Sequence, residues 1–159
     1  MQDELTQVII REATKNDLGQ IINLLIDDKL GKTREVVSNS TNEIDKCYID
    51  AYTHMLVNPS QQILVMELNT EIIGVLELTY IHSLTHKGSL RANIEGVRIK
   101  SNYRNQGLGS KLFKYVERLA IDKGCAIIQL TTNLQRLDAK HFYEKLGFVA
   151  SHYGMKMEL

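Results

Sequence analysis

The stretch Ile94-Glu95-Gly96-Val97-Arg98-Ile99-Lys100-Ser101-Asn102-Tyr103-Arg104-Asn105-Gln106-Gly107-Leu108-Gly109 decides how this chain is read. It runs from a strand through a basic glycine loop into the start of an amphipathic helix. Ahead of Gly96 the apolar positions are even: Leu90, Ala92 and Ile94. Beyond it they are odd, Val97 and Ile99, with Arg98 and Lys100 on the other face. A strand alternates with period two, so the change of parity is a one-residue slip at Glu95-Gly96. A β-bulge makes such a slip, and glycine inside a strand marks a bulge or the close approach of a backbone or ligand. Two readings stay open here: a bulge that only adds twist, and one that frees main-chain groups for something other than the next strand.

Downstream, Gly107 and Gly109 flank Leu108, and Leu112, Phe113, Val116, Leu119 and Ala120 continue at helical spacing. The first amides of a helix have no intrahelical partner, and its positive end suits an anion. Arg104 adds a full charge beside them. The plainer alternative is a glycine pair that merely turns the chain into its helix. Two familiar phosphate loops are excluded, because Ser110-Lys111 reverses the Lys-Ser order of the P-loop. The dinucleotide fingerprint, in turn, needs a small residue where Leu112 stands.

Working outward, residues 126–132 read as a strand ending in Asn133, followed by a helix carrying Ala139, Phe142, Tyr143 and Leu146 on one stripe. Toward the N-terminus, residues 5–11 read as a strand. Thr14 then caps a helix with Asp17 in its first turn and Leu18, Ile21, Ile22, Leu25 and Ile26 on its apolar face. Residues 31–42 are polar and aperiodic, a loop. A second helix is expected over residues 43–56, with Ile44, Cys47, Tyr48, Ala51 and Met55 on one side and Pro59 in the turn after it. Residues 62–67 and 71–80 form a hairpin across Asn69-Thr70, and residues 81–89, with His82 and His86, form a loop. No linker, repeat or low-complexity tract interrupts this order, so a single domain over residues 1–159 is expected, with α/β layering around a mixed sheet.

Composition narrows the function classes. The 159 residues suit one domain with a sizeable core, and 43% hydrophobic with 24% charged residues is an ordinary globular mixture. Lys plus Arg and Asp plus Glu each number 19, for a formal net charge of +0. That argues against nonspecific binding to nucleic acid or an anionic membrane. Apolar runs are too short to cross a bilayer, and the opening Met1-Gln2-Asp3-Glu4 lacks the basic and apolar regions of a signal peptide. Two separated cysteines, Cys47 and Cys125, fit a reduced, cytoplasmic setting with no disulfide scaffold and no metal site. His82 and His86 lack the helical context of a zinc pair. No metal is expected.

Taken together, these segments resemble the GNAT superfamily of acetyl-CoA-dependent N-acetyltransferases. The family's loop, Arg/Gln-x-x-Gly-x-Gly/Ala, is matched by Arg104-Asn105-Gln106-Gly107-Leu108-Gly109. Its second hallmark, Ala-x-x-Phe-Tyr-x-x-x-Gly-Phe, is matched by the run from Ala139 to Phe148. The N-terminal half fits in its pattern of elements only. The resemblance implies a mixed, mostly antiparallel central sheet flanked by helices and splayed between the fourth and fifth strands, with acetyl-CoA in the gap. It implies that Asn105, Gln106, Gly107, Leu108, Gly109 and Ser110, beside Arg104, hold the pyrophosphate. Val97 and Ile99, with Arg98 between them, would run along the pantetheine arm, which Asn133 would reach from the next strand. Tyr143 would lie near the cofactor sulfur.

The implied reaction moves an acetyl group to a primary amine of a small molecule or peptide, directly within a ternary complex. A homodimer is compatible with it. An alkyl ammonium has a pKa of about 10.4, so little is neutral at pH 7 and a proton acceptor matters. Glu95, at the slip, is the candidate base; a solvated carboxylate that attracts a cation is the alternative. The Val97 amide is the candidate oxyanion donor. Tyr143 is the candidate acid for the leaving thiolate, against plain core packing on its stripe. Asp27, Asp28, Glu77 and Glu95 are the carboxylates that could draw a cationic acceptor. A coenzyme A-binding sensor without catalysis is the competing function.

Overall fold

Two strands with alternating apolar side chains on both faces account for the layering. In β2 (Gln61–Leu68), Leu64, Met66 and Leu68 face one side while Ile63 and Val65 face the other. In β3 (Glu71–His82), Ile73, Leu76, Leu78 and Tyr80 oppose Ile72 and Val75 in the same way. A sheet apolar on both faces must be covered on both. The computed structural model, which describes residues 7–27 and 44–159, shows this arrangement.

Among the described residues, five strands lie in the order β1-β2-β3-β4-β5, with β1 at Ile9–Glu12, β4 at Leu90–Ile99 and β5 at Cys125–Leu130. The first three pairings are antiparallel and the last, β4 with β5, is parallel. The expected mixed, mostly antiparallel sheet is therefore present. Asn69 and Thr70, with φ of 49° and 68°, close the β2–β3 hairpin; two left-handed residues match the natural twist of the strands they join.

One face packs on α3 (Leu108–Asp122) through Leu108, Leu112, Phe113, Val116 and Ala120, all buried. Each large apolar side chain so buried contributes about 1.5 to 3 kcal/mol. The other face packs on α1 (Leu18–Ile26) through Ile21 and Leu24, and on α2 (Lys46–Val57), where Tyr52 meets Leu18 and Ile22. At the foot of α1, Asp17 accepts from Thr14 N at 2.6 Å and from Arg11 Nη1 and Nη2 at 2.7 and 2.9 Å. Arg11 Nε also donates to Glu67 at 2.7 Å, so one guanidinium ties β1, β2 and α1 together. Last in order, α4 (Leu137–Lys145) lays Phe142, Tyr143 and Leu146 against the α3 side.

Several boundaries differ from expectation. The inward stripe of α2 is Tyr48, Ile49 and Tyr52, whereas Cys47 and Ala51 are exposed; the helix is rotated because Tyr52, not Cys47, reaches the core. Strand β3 continues through His82, so that histidine ends a strand and does not belong to a loop. The turn after it carries left-handed residues at His86, Lys87 and Gly88. The expected loop at residues 31–42, the start of the second helix at Glu43, and Leu5 lie outside the described residues.

Candidate active site at the bulged strand and the glycine loop

Register in the β3–β4 ladder locates the slip. Glu77 pairs with Glu95 and Val75 with Arg98, so Gly96 and Val97 together oppose Leu76. Gly96 has φ 63°, in the region that glycine alone occupies without strain. A Cβ on Gly96 would stand 3.3 Å from Glu77 Oε1, which puts that carboxylate against the bulge. Glu95 is exposed, and its Oε1 accepts from Asn93 Nδ2 at 3.2 Å. Of the carboxylates named from sequence, Glu77 and Glu95 meet at the bulge. Asp27 stands apart at Arg104, and Asp28 lies outside the described residues.

The sheet opens at the same level. Pairing between β4 and β5 ends at Ile94 and Leu130, although β4 runs on to Ile99. Beyond that pair the Val97 carbonyl accepts from Arg98 Nη1 at 2.8 Å. The Ile99 carbonyl accepts from Arg104 Nε at 2.9 Å. Arg104 also reaches the Asp27 carbonyl at 2.7 Å through Nη2. Its guanidinium thus braces the end of β4 against the end of α1. Lys100 pairs with Glu71, and Tyr103 Oη donates to the same carboxylate at 3.3 Å, which fixes the turn leading to the loop.

Within the loop, Asn105 and Gly107 are left-handed, at φ 61° and 80°. Gly107 is the residue before α3, and no side chain caps the helix there. A Cβ on Gly107 would meet nothing within 4 Å. That open space continues into a hollow of about 290 Å³ lined by Gly107, Ser110, Lys111, Lys114 and Arg118. Lys111 Nζ donates to the Val8 carbonyl at 2.8 Å. Lys114 and Arg118 were missed from sequence; their spacing from Lys111, one and two turns along α3, was the available signal. Gly109 has a different neighbour, since a Cβ there would press to 2.9 Å on the Phe142 ring. Its smallness lets α4 approach α3.

Tyr143 sits in an aromatic cluster, its ring 5.6 Å from Phe113, 5.4 Å from Phe142 and 5.9 Å from Phe148 between centroids. Burial pushes its phenol above the ordinary value, while Arg98 and Arg136 pull the other way. The hydroxyl is therefore protonated at neutral pH and available as a donor. Asn133 follows β5, where its Oδ1 accepts from Gln135 N at 2.8 Å and shapes the turn into α4. Cys47 and Cys125 are free thiols, and burial pushes the Cys125 thiol up. Among the described residues no group of His, Cys, Asp or Glu gathers as a metal site, and no helix is long and apolar enough to cross a membrane.

The chain is similar to known proteins over most of its length. The model of the acetyltransferase (GNAT) family matches residues 21–148. An aminoalkylphosphonate N-acetyltransferase of Salmonella typhimurium is 28% identical over 153 residues, which span 96% of this chain and 92% of that protein. A thialysine N-epsilon-acetyltransferase of Bos taurus is 30% identical over 144 residues, 88% of this chain and 83% of that one. Among solved structures, a transcriptional regulator from Bacillus halodurans C-125 is 43% identical and superposes with a TM-score of 0.91, covering 96% of this chain and 100% of its own. With a bulged fourth strand, a sheet that parts beside it and a glycine loop opening α3, this chain belongs to the GNAT family of acetyltransferases.

Proposed function

We propose that this protein transfers the acetyl group of acetyl-CoA to a primary amine of a small molecule or peptide, directly within a ternary complex. The observation that carries the reading is the coincidence of two breaks. The bulge at Glu95-Gly96 and the last β4–β5 pair, Ile94 with Leu130, fall at one level of the sheet. An extended thioester arm fits a strand edge left without a neighbour. The open space off Gly107 suits a diphosphate, because it adjoins the start of α3, whose first amides have no side-chain cap. Lys114 and Arg118, along the same hollow, offer charge to a further phosphate.

Roles follow from chemistry at each position. The ammonium must lose a proton before its nitrogen attacks the thioester carbon. Glu95, with Glu77 beside the bulge, attracts the cation and passes its proton to water. The Val97 amide donates to the oxygen that gains charge as the N–C bond forms. When the C–S bond breaks, the Tyr143 phenol donates to the departing thiolate, which coenzyme A retains as a thiol after a proton arrives. No covalent enzyme intermediate is needed, and the half-buried Cys125 stays a spectator.

A second reading is favoured by one observation, the name of the 43% identical Bacillus halodurans protein, a transcriptional regulator. Under it, the chain senses coenzyme A without turning it over. The decisive experiment follows free thiol release from acetyl-CoA over a panel of primary amines. Amine-dependent release supports the transferase. Tight acetyl-CoA binding with no amine-dependent release across the panel establishes the sensor instead.

A further inference from the structure

A line of hydrogen bonds runs along the paired part of β4 and β5 up to the level where the sheet opens, on the face away from α3. Arg91, Asn93 and Glu95 share that face, since Ala92 and Ile94 between them enter the α3 core. Arg91 Nη1 donates to Gln129 Oε1 at 3.3 Å, Gln129 Nε2 donates to Asn93 Oδ1 at 3.1 Å, and Asn93 Nδ2 donates to Glu95 Oε1 at 3.2 Å. Every donor points the same way, from a guanidinium at one end to a carboxylate at the other. Such a chain polarises itself, each bond strengthening the next. Thr79 and Glu77 flank it on β3, as the partners of Asn93 and Glu95. Arg91 keeps unused capacity, because its Nε is buried with no hydrogen-bond partner among the described residues.

A buried donor without a partner is destabilising, so it calls for an acceptor. The strip is a fixed dipole beside the proposed thioester site, negative at the bulge and positive at the far end. A ligand lying along it in the opposite sense puts its ammonium at Glu95 and an anion at Arg91. Residues 91 and 95 are about 13 Å apart along an extended strand. The guanidinium leans back toward Gln129, the cross-strand partner of Asn93, so the charged ends lie closer than that. An amine adjacent to its own acid group spans too little; a spacer of about four to six bonds fits the reach.

We infer that the acceptor is a zwitterion, a primary amine joined through a spacer of several bonds to a carboxylate or phosphonate, and that Arg91 is the residue that selects the acid group. This rests on the acetyltransferase reading and goes beyond it by naming the acceptor's chemistry. Asn93 and Gln129 act as positioning residues that hold Arg91 and Glu95 in register. A guanidinium binds an acid group through charge-assisted paired bonds that a neutral amide cannot replace.

The test measures kcat/KM by thiol release for ω-amino acids from glycine to 6-aminohexanoate, each beside its primary amide. The folded wild-type protein is expected to prefer acid over amide by about tenfold or more, most strongly at the longer spacers. In Arg91→Gln the acid-to-amide ratio collapses toward one, and Arg91→Lys restores part of it. A purely structural role for Arg91 would lower acid and amide together and leave their ratio intact, which overturns the inference. Equal use of acid and amide by the wild type, or a preference for the shortest spacer, overturns it too while leaving the transferase standing. Bound acetyl-CoA with no thiol release for any amine takes down both.

Discussion

At the level of single residues, the ring of Tyr143 is core packing and its hydroxyl is the proposed acid. Its ring belongs to the cluster with Phe113, Phe142 and Phe148, so Tyr143→Phe keeps the packing and removes only the hydroxyl. Turnover is expected to fall roughly a hundredfold or more while acetyl-CoA affinity changes little, the size typical of losing a general acid. Steady-state rates and calorimetry check this, and an unchanged kcat leaves Tyr143 as core alone. The proposed acid needs a protonated phenol, and burial moves its titration above the ordinary value of 10.0. A falling alkaline limb from this group therefore lies above pH 10, and kcat/KM should climb with the free-amine fraction below it. The bulge at Gly96 was legible because parity along one strand records a slip. Glu77 at the same spot was not, because only the β3–β4 register brings residues 77 and 95 together. Arg104 taught the same lesson: its partner Asp27 is far away in sequence, so charge alone suggested a free cation where a brace stands.

Among the elements, the junction of β1, α1 and β2 is held by one ion-pair group, and its pH response follows from Asp17. Arg11 is the main cause that holds Asp17 at about 2 against an ordinary 3.8, assisted by Thr14 through its amide and hydroxyl. A carboxylate with a lowered native pKa stabilises the fold above its unfolded value and loses that contribution as pH falls toward the native one. Here the window runs from about pH 4 down to about pH 2. Asp17→Asn is expected to cost about 1 to 3 kcal/mol at pH 7, since it leaves a half-buried guanidinium to Glu67 alone. The gap between variant and wild type should narrow by roughly 1 kcal/mol at pH 3. Urea titrations at both pH values measure it, and a gap independent of pH would remove Asp17 from the acid limb. Sequence announced this cap, since Thr14 and Asp17 are spaced as a capping pair. It could not announce the rotation of α2. A short helix with apolar residues at Ile44, Cys47, Tyr48, Ile49, Ala51, Tyr52 and Met55 offers two stripes, and the surface presented by Leu18 and Ile22 decides between them.

For the molecule as a whole, the parted strands leave an opening that the proposed cofactor would fill. The β4–β5 pairing stops at Ile94 and Leu130, so the sheet is continuous at one end and open at the other. Under the proposed function, a cofactor in that opening would tie β4 and the glycine loop to the end of β5, and a ligand that binds only the folded chain raises its stability. At acetyl-CoA a hundredfold above its Kd the gain is about 2.7 kcal/mol. For a chain of this length that is a rise of roughly 5 to 10 °C in Tm. Gly107→Asp separates ligand from fold. Its left-handed φ of 80° strains any residue that carries a Cβ, so aspartate there costs some stability before any ligand is added. The ligand-free Tm should therefore fall below wild type, and the ligand effect is read as the rise above each protein's own ligand-free value. The aspartate carboxylate enters the space off Gly107 and repels a diphosphate, so the ligand-induced rise should be lost. Thermal scans with and without acetyl-CoA, paired with hydrogen exchange at the Val97 and Ile99 amides, read both halves. Protection of those amides in the wild type, absent in the variant, ties the loop and the bulged strand to one ligand. A full Tm rise in Gly107→Asp would move the diphosphate away from α3, and with it the reason for the loop.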